Sequence, residues 1–472
     1  MRTKFFALFA SLVTAAVMAN NITVSNTTVS GQNVTNHTLN INFDVSWENS
    51  WRTITNESNY DAAWVFIKCR VNGTQEWRHC TIRLTGNTPA TGAVITVPAD
   101  QKGVFLNRSA TNIGIGNVSF TGNILVWNYG ADGVADNATV EVKVFALEMV
   151  YIPTGAYWLG SGGSEANCFQ KGDASGNYKV TSNAAIPVNT TTGLSFNGLG
   201  SGTSIPSTFP NAYDAYWIMK YECSQQQYAD FLNTLDLAQA TVLNIAPANF
   251  VVGSTHPNFL PVAADRAFGC YNKSFSALTS LADWSGLRPM SELEFEKACR
   301  GVNVPAVPNE FPWGSTTISY LTGVNNAGLP NETIGDLPSP QDANAQVGLY
   351  GNAVRVGLFA RTSGSTRQNS GATYYGVMNM ADNVFEVTVF AGSPEGMAID
   401  RNVHGNGYLN PSGSGFTDIL AWREPAFSRR GTSYQSNANY LGSTNYARTS
   451  NRGLTLTGAP VMDGIRLVRT AQ

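Results

Sequence analysis

The chain has 472 residues, with 29 Lys and Arg against 32 Asp and Glu, so its formal net charge is −3. Only 13% of the residues are charged, where about a quarter is usual, and 45 are Gly. This balance offers no basic face for nucleic acid, which is excluded as a partner, while a hydrophobic fraction of 43% excludes a disordered chain.

The length suggests two or three structural units. Met1, Arg2 and Lys4 precede an apolar run from Phe5 to Met18, with the small residues Val17 and Ala19 ahead of Asn20. This pattern predicts a signal peptide over 1–19, too short to span a bilayer, which takes about 20 apolar residues. The expected product is secreted, extracellular or held at the cell surface, with no membrane span.

Residues 20–148 read as an all-β domain. Leu39, Ile41, Phe43, Val45 and Trp47 alternate with polar residues, as do Val140, Val142, Val144 and Ala146. That is the period of a half-buried strand. Further strands are predicted over 64–71, 77–84, 94–97 and 124–129, with turn signals at Asn72-Gly73 and Asp132-Gly133. About seven short strands in about 130 residues predict an immunoglobulin-like sandwich. Cys69 and Cys80 flank the 72–73 turn, so either a cross-strand disulfide or two thiols fit there; Cys168, Cys223, Cys270 and Cys299 show no metal-binding spacing. Glycosylation sequons begin at Asn21, Asn26, Asn33 and Asn36 and read equally as an Asn/Thr-rich surface.

From 149 to 472 the chain is Gly-rich and loop-rich. Helical periods occur over 224–235 and over 291–300, where Ser291 and Glu294 form a capping box. Aromatic motifs follow in order: EMVYIPTGAYWLGS at 148–161, YWIMKYECS at 216–224, GLRPMSELEFEKACRG at 286–301 and FPWG at 311–314. GVMNMADNVFE at 376–386, RGTSY at 430–434 and GIRLV at 464–468 complete the series.

This ordered series resembles the formylglycine-generating enzyme family, the sulfatase-modifying factor domain, over about residues 149–472. The resemblance implies a mixed α/β fold like a C-type lectin. An added amino-terminal β domain is common in secreted bacterial relatives. The family's oxidases bind copper through two cysteines after the RGTSY-like motif; the corresponding positions here are Ser436 and Leu441, and no Cys follows Cys299. Copper and formylglycine formation are therefore not expected, and His37, His79, His256 and His404 are too scattered to form the histidine cluster through which other relatives bind iron. Cys299 stands where the family can pair a cysteine with one in the last strand, but that position is Leu467.

The resemblance also implies calcium, held by side-chain and carbonyl oxygens at Asn379, Asp382, Val384 and Glu386, with Asn326 as a member of a second site. The terminal segment suggests ligand binding: Tyr434, Gln435, Asn437, Asn439, Tyr440, Asn445, Tyr446 and Arg448 have the Tyr/Asn character of an antibody paratope. It also resembles the variable region of proteins diversified by bacterial retroelements. An ordinary Asn/Tyr-rich loop remains the plainer reading.

Three functions compete. The first is a catalytically silent protein binding an extracellular protein or glycan through that segment. The second is an enzyme with altered chemistry, for which an acid/base pair such as Glu424 with His404 can be imagined, although nothing in the spacing supports it. The third is a structural surface protein whose β domain self-associates laterally.

Overall fold

The computed structural model describes residues 22–74, 76–173, 176–196, 202–271, 275–336, 344–345, 347, 350–360, 366–410, 415–435, 445–453 and 462–471; the expected signal peptide lies outside them. Among the described residues strand makes up 34% and helix 10%, a β-rich architecture of several sheets.

Strands β1 (Thr23–Asn33), β2 (Thr38–Arg52), β3 (Asp61–Val71) and β4 (Arg78–His79) are followed by β5 (Ala93–Thr96), β6 (Val104–Arg108), β7 (Gly114–Trp127) and β8 (Val140–Ile152). The strand expected over 77–84 contracts to β4, because past Cys80, whose amide still bonds Ile67 of β3, the chain turns away and the Ile82 and Arg83 amides bond Gln101 and Val126. One sheet has the order β1-β2-β7. Its β2 turns Ile41, Phe43, Val45 and Trp47 inward, against Ala63, Val65 and Ile67 of β3. All six cysteines, Cys69 and Cys80 among them, are buried thiols, none in a disulfide. Burial pushes the Cys299 thiol up to about 12.

The second sheet does not stop at residue 148. Its order is Arg288–Pro289, Leu467–Thr470, Tyr216–Met219, β8, β3, β6, β5, antiparallel throughout, so the expected boundary falls inside one strand. Strand β3 is an almost continuous apolar run because both its faces are covered. Ala63, Val65 and Ile67 face the first sheet, while Ala62, Trp64 and Phe66 join the core of the second half. There Phe105 stacks on Trp217 at 4.3 Å between ring centroids, and Phe66 and Phe145 each meet Trp284 at 5.0 Å.

The predicted helices are present. Helix α1 (Gln225–Leu232) is capped by Ser224 and followed by α2 (Leu237–Leu243) and α3 (Phe275–Trp284). Helix α4 (Glu292–Arg300) carries the Ser291/Glu294 capping box. It stops at Gly301, whose φ of +96° favours glycine and whose side chain, had it one, would begin 2.4 Å from the Tyr374 ring. A further sheet joins Cys270–Tyr271, Met462–Gly464, Phe385–Val389 and Phe427–Arg430 in that order. Among the described residues no helix is long and apolar enough to cross a membrane.

Candidate functional site

Every residue of α4 is buried, its three glutamates included. A charge deprived of water needs a partner of opposite sign, and four arginines supply them. Arg288 grips Glu294 with two bonds, of 2.9 and 2.5 Å. Arg452 does the same to Glu292, at 2.9 and 3.2 Å. Glu296 lies between Arg300, at 2.6 Å, and Arg430, at 2.7 Å. Burial alone would raise the Glu296 carboxyl, but Arg300 and Arg430 hold it below its ordinary value.

These ion pairs fix the flanks of the Tyr/Asn-rich segment. On the incoming side, the Thr432 amide donates to the Ala381 carbonyl and the Tyr434 amide to that of Asn383, at 2.8 Å. On the outgoing side, Arg430 donates to the Thr449 carbonyl at 2.6 Å, and the Ser450 hydroxyl reaches Glu296 at 3.2 Å. The Thr449 amide bonds Glu310, and the Arg452 guanidinium packs 4.1 Å from the Phe169 ring centroid. Ala447 is buried in one apolar cluster with Phe311, Trp313 and Ala381, so both flanks are tied to the same turn.

The predicted ligand-binding residues divide accordingly. Gln435 and Asn445 are exposed, whereas Tyr434, Tyr446 and Arg448 are half-buried. Tyr434 leans on the cluster of Tyr221, Val354 and Met378, and burial raises its hydroxyl. Arg448 donates to Asn309 at 2.9 Å. Asn437, Asn439 and Tyr440, with Ser436 and Leu441, lie outside the described residues.

The predicted calcium residues of 379–386 come together, with Glu222 and Arg466 among them. Asn379 has a φ of +54°, accepts from the Gly357 amide and donates to Asp382 at 3.2 and 3.3 Å. Glu222 accepts from Asn383 at 2.7 Å and from the Val384 amide at 3.0 Å. Arg466 donates to Glu386 Oε1 at 2.9 Å and to the Met378 and Asn379 carbonyls at 2.8 and 3.3 Å. The guanidinium thus takes oxygens that the calcium expectation assigns to the ion. Glu386 Oε2 is buried without a hydrogen-bond partner, and burial pushes up the carboxyls of Glu386 and Glu222. The fit to calcium is therefore partial, resting on Glu386 Oε2. Among the described residues no three His, Cys, Asp or Glu side chains form a metal-holding group. Asn326 sits on another loop, where its amide donates to the Asn331 carbonyl.

Sequence reasoning passed over Glu222 and Arg466, although each is a charge inside an apolar motif, the one available signal of a buried ion pair. The histidines serve local structure. His37 pairs with Asp136, and His79 and His256 bond the Lys102 and Leu235 carbonyls. Nor does the structure join the Glu424–His404 pair through the contacts each makes: Glu424 accepts from the Phe275 amide and His404 from that of Thr470. Comparison with protein-family models and with curated proteins returns no match.

Proposed function

We propose that this is a secreted or cell-surface binding protein that engages an extracellular protein or glycan through the segment 434–448. One observation carries the reading: buried ion pairs on α4 fix both flanks of a Tyr/Asn-rich stretch whose described outer residues, Gln435 and Asn445, face water. A rigid scaffold under a polar, aromatic loop is the arrangement binding loops use. The ordered motifs support a catalytically silent domain of the formylglycine-generating enzyme family, with the amino-terminal strands as an immunoglobulin-like sandwich beside it. The test is a screen of the intact protein against arrays of glycans and extracellular protein domains. A ligand is expected whose affinity falls tenfold or more in Tyr440→Ala and Tyr446→Ala, in keeping with aromatic hot spots. An empty screen, or a ligand that both variants bind as well as the parent does, overturns the assignment.

Calcium belongs to the same proposal. The unpartnered Glu386 Oε2 supports an ion shared between that carboxylate and its neighbours. Chelation is expected to lower the melting temperature, and added calcium to restore it. An unchanged melting temperature removes calcium from the account.

A further inference from the structure

A cleft of about 350 Å³ opens where the 216–219 and 467–470 strands begin and end, lined by Tyr151, Thr154, Asp214, Arg401, Asn402 and His404. Its volume suits a small ligand. It lies at the far end of the central strands from Tyr434. Thr470 and Tyr216 pair at the cleft, whereas Arg466 and Glu222 lie beyond the opposite ends of the two strands. Seven residues of extended chain, about 20 Å, separate Ala215 from Glu222. The cleft is thus independent of the terminal segment.

We infer that this cleft binds a neutral saccharide residue. The cations around it are already answered: Arg288 by Glu294, Arg469 by Asp100, and Arg401 by Asp214 at 3.4 Å. His404 accepts from the Thr470 amide at 3.1 Å, and burial, with Arg469 and Arg288 nearby, keeps its ring neutral. Arg401 Nη1 stands beside Asp214 without a hydrogen bond, so the lining carries one guanidinium beside one carboxylate and no net positive charge. What lines the cleft is a mixed set: carboxylate oxygens on Asp214, guanidinium N–H groups on Arg401, an exposed amide on Asn402 and an aromatic wall. Acceptors beside donors match vicinal hydroxyls, each of which both gives and takes a hydrogen bond. Tyr151 is held rigidly for the apolar face of a sugar ring, stacked on Tyr60 at 5.0 Å and packed edgewise against Trp217 at 5.1 Å. A recess of about 10 Å³, sharing Asp214, Ala215, Arg401 and Thr470 with the cleft, lies beside Arg288 and Glu294 and has room for one water.

The experiment is saturation-transfer NMR on the intact protein with free glucose, galactose and mannose, and with glucuronate as the anionic control. At least one hexose is expected to bind, tenfold or more weakly in Asp214→Asn and in Asn402→Ala, and unchanged in Tyr446→Ala. Asn402 is exposed, so Asn402→Ala decides the matter even if Asp214→Asn disturbs the fold. Glucuronate binding without hexose binding overturns the proposal in favour of an anion site. Absence of hexose binding, or binding that both cleft variants retain, overturns it outright. Loss in Tyr446→Ala alone would move the sugar to the terminal segment.

Discussion

A fragment of residues 20–148 is expected to remain unfolded or to aggregate, although its sequence reads as a self-contained β domain. The physical reason is the second face of its β8-β3-β6 layer. Trp64, Phe66, Phe105 and Phe145 are at most 7% exposed, and part of their cover is Trp217 and Trp284 from the other half. Full burial of each such side chain contributes about 1.5–3 kcal/mol. Uncovering four of them costs on the order of 10 kcal/mol, comparable with the whole stability of a domain. The cut also ends β8 before Met149 and Val150, which pair with Met219 and Ile218. Circular dichroism, size-exclusion chromatography and a two-dimensional amide NMR spectrum decide the point. A monomeric fragment with dispersed amide signals and cooperative melting would show that the shared sheet is dispensable.

Replacing Lys220 by Met is expected to cost about 3–5 kcal/mol, the range for removing one partner of a buried ion pair. Lys220 donates to Glu148 at 2.9 Å and to the Asn49 carbonyl at 3.2 Å, and lies 3.5 Å from Asp61. Asp61 in turn accepts from Trp47 and Ser50, both at 2.8 Å, so the lysine ties β2, β3, β8 and the second half together. Burial works against the ammonium, but Glu148, Tyr221 and Asp61 hold its pKa above the ordinary value. Burial also raises both carboxyls, Glu148 to about 7, against the pull of Lys220. Without the lysine that opposing pull is gone, and both carboxyls rise further in the folded state. The folded variant then keeps its protons to higher pH than the folded parent, whose Glu148 titrates near 7. Its deficit relative to the parent should therefore grow as the pH rises through 7 and be smaller at pH 5 than at pH 7. Urea denaturation at pH 7 and pH 5 measures both quantities. A deficit below 1 kcal/mol, or one independent of pH, would assign Lys220 a packing role only.

Much of the local structure was legible in the residues. The alternation of β2 and the capping residues Ser224 and Ser291 act over a few neighbouring positions, and the corresponding elements follow them. The apolar run of β3 was legible as a strand, but not as one covered on both faces, because its second cover lies in residues after 216. Helix α4 shows the same limit. SELEFEKACR reads as a capped helix, but nothing local tells that its charges are buried and answered by arginines as distant as Arg452.

The candidate site was legible only in its members. The sequence placed Asn379, Asp382 and Glu386 close together because they are near neighbours in the chain. It did not reveal Arg466, 80 residues from Glu386, or Glu222, more than 160 residues from Asn383 and Val384. By itself the sequence determined a β-rich chain of low charge with capped helices and a Tyr/Asn-rich terminal stretch, because periodicity, capping and composition are local. The tertiary structure alone decided that one sheet runs through both halves, which charges lose their water, and where a cleft opens. Those features arise from pairings between distant residues, and the energy of a buried charge depends on a partner that its own neighbours do not specify.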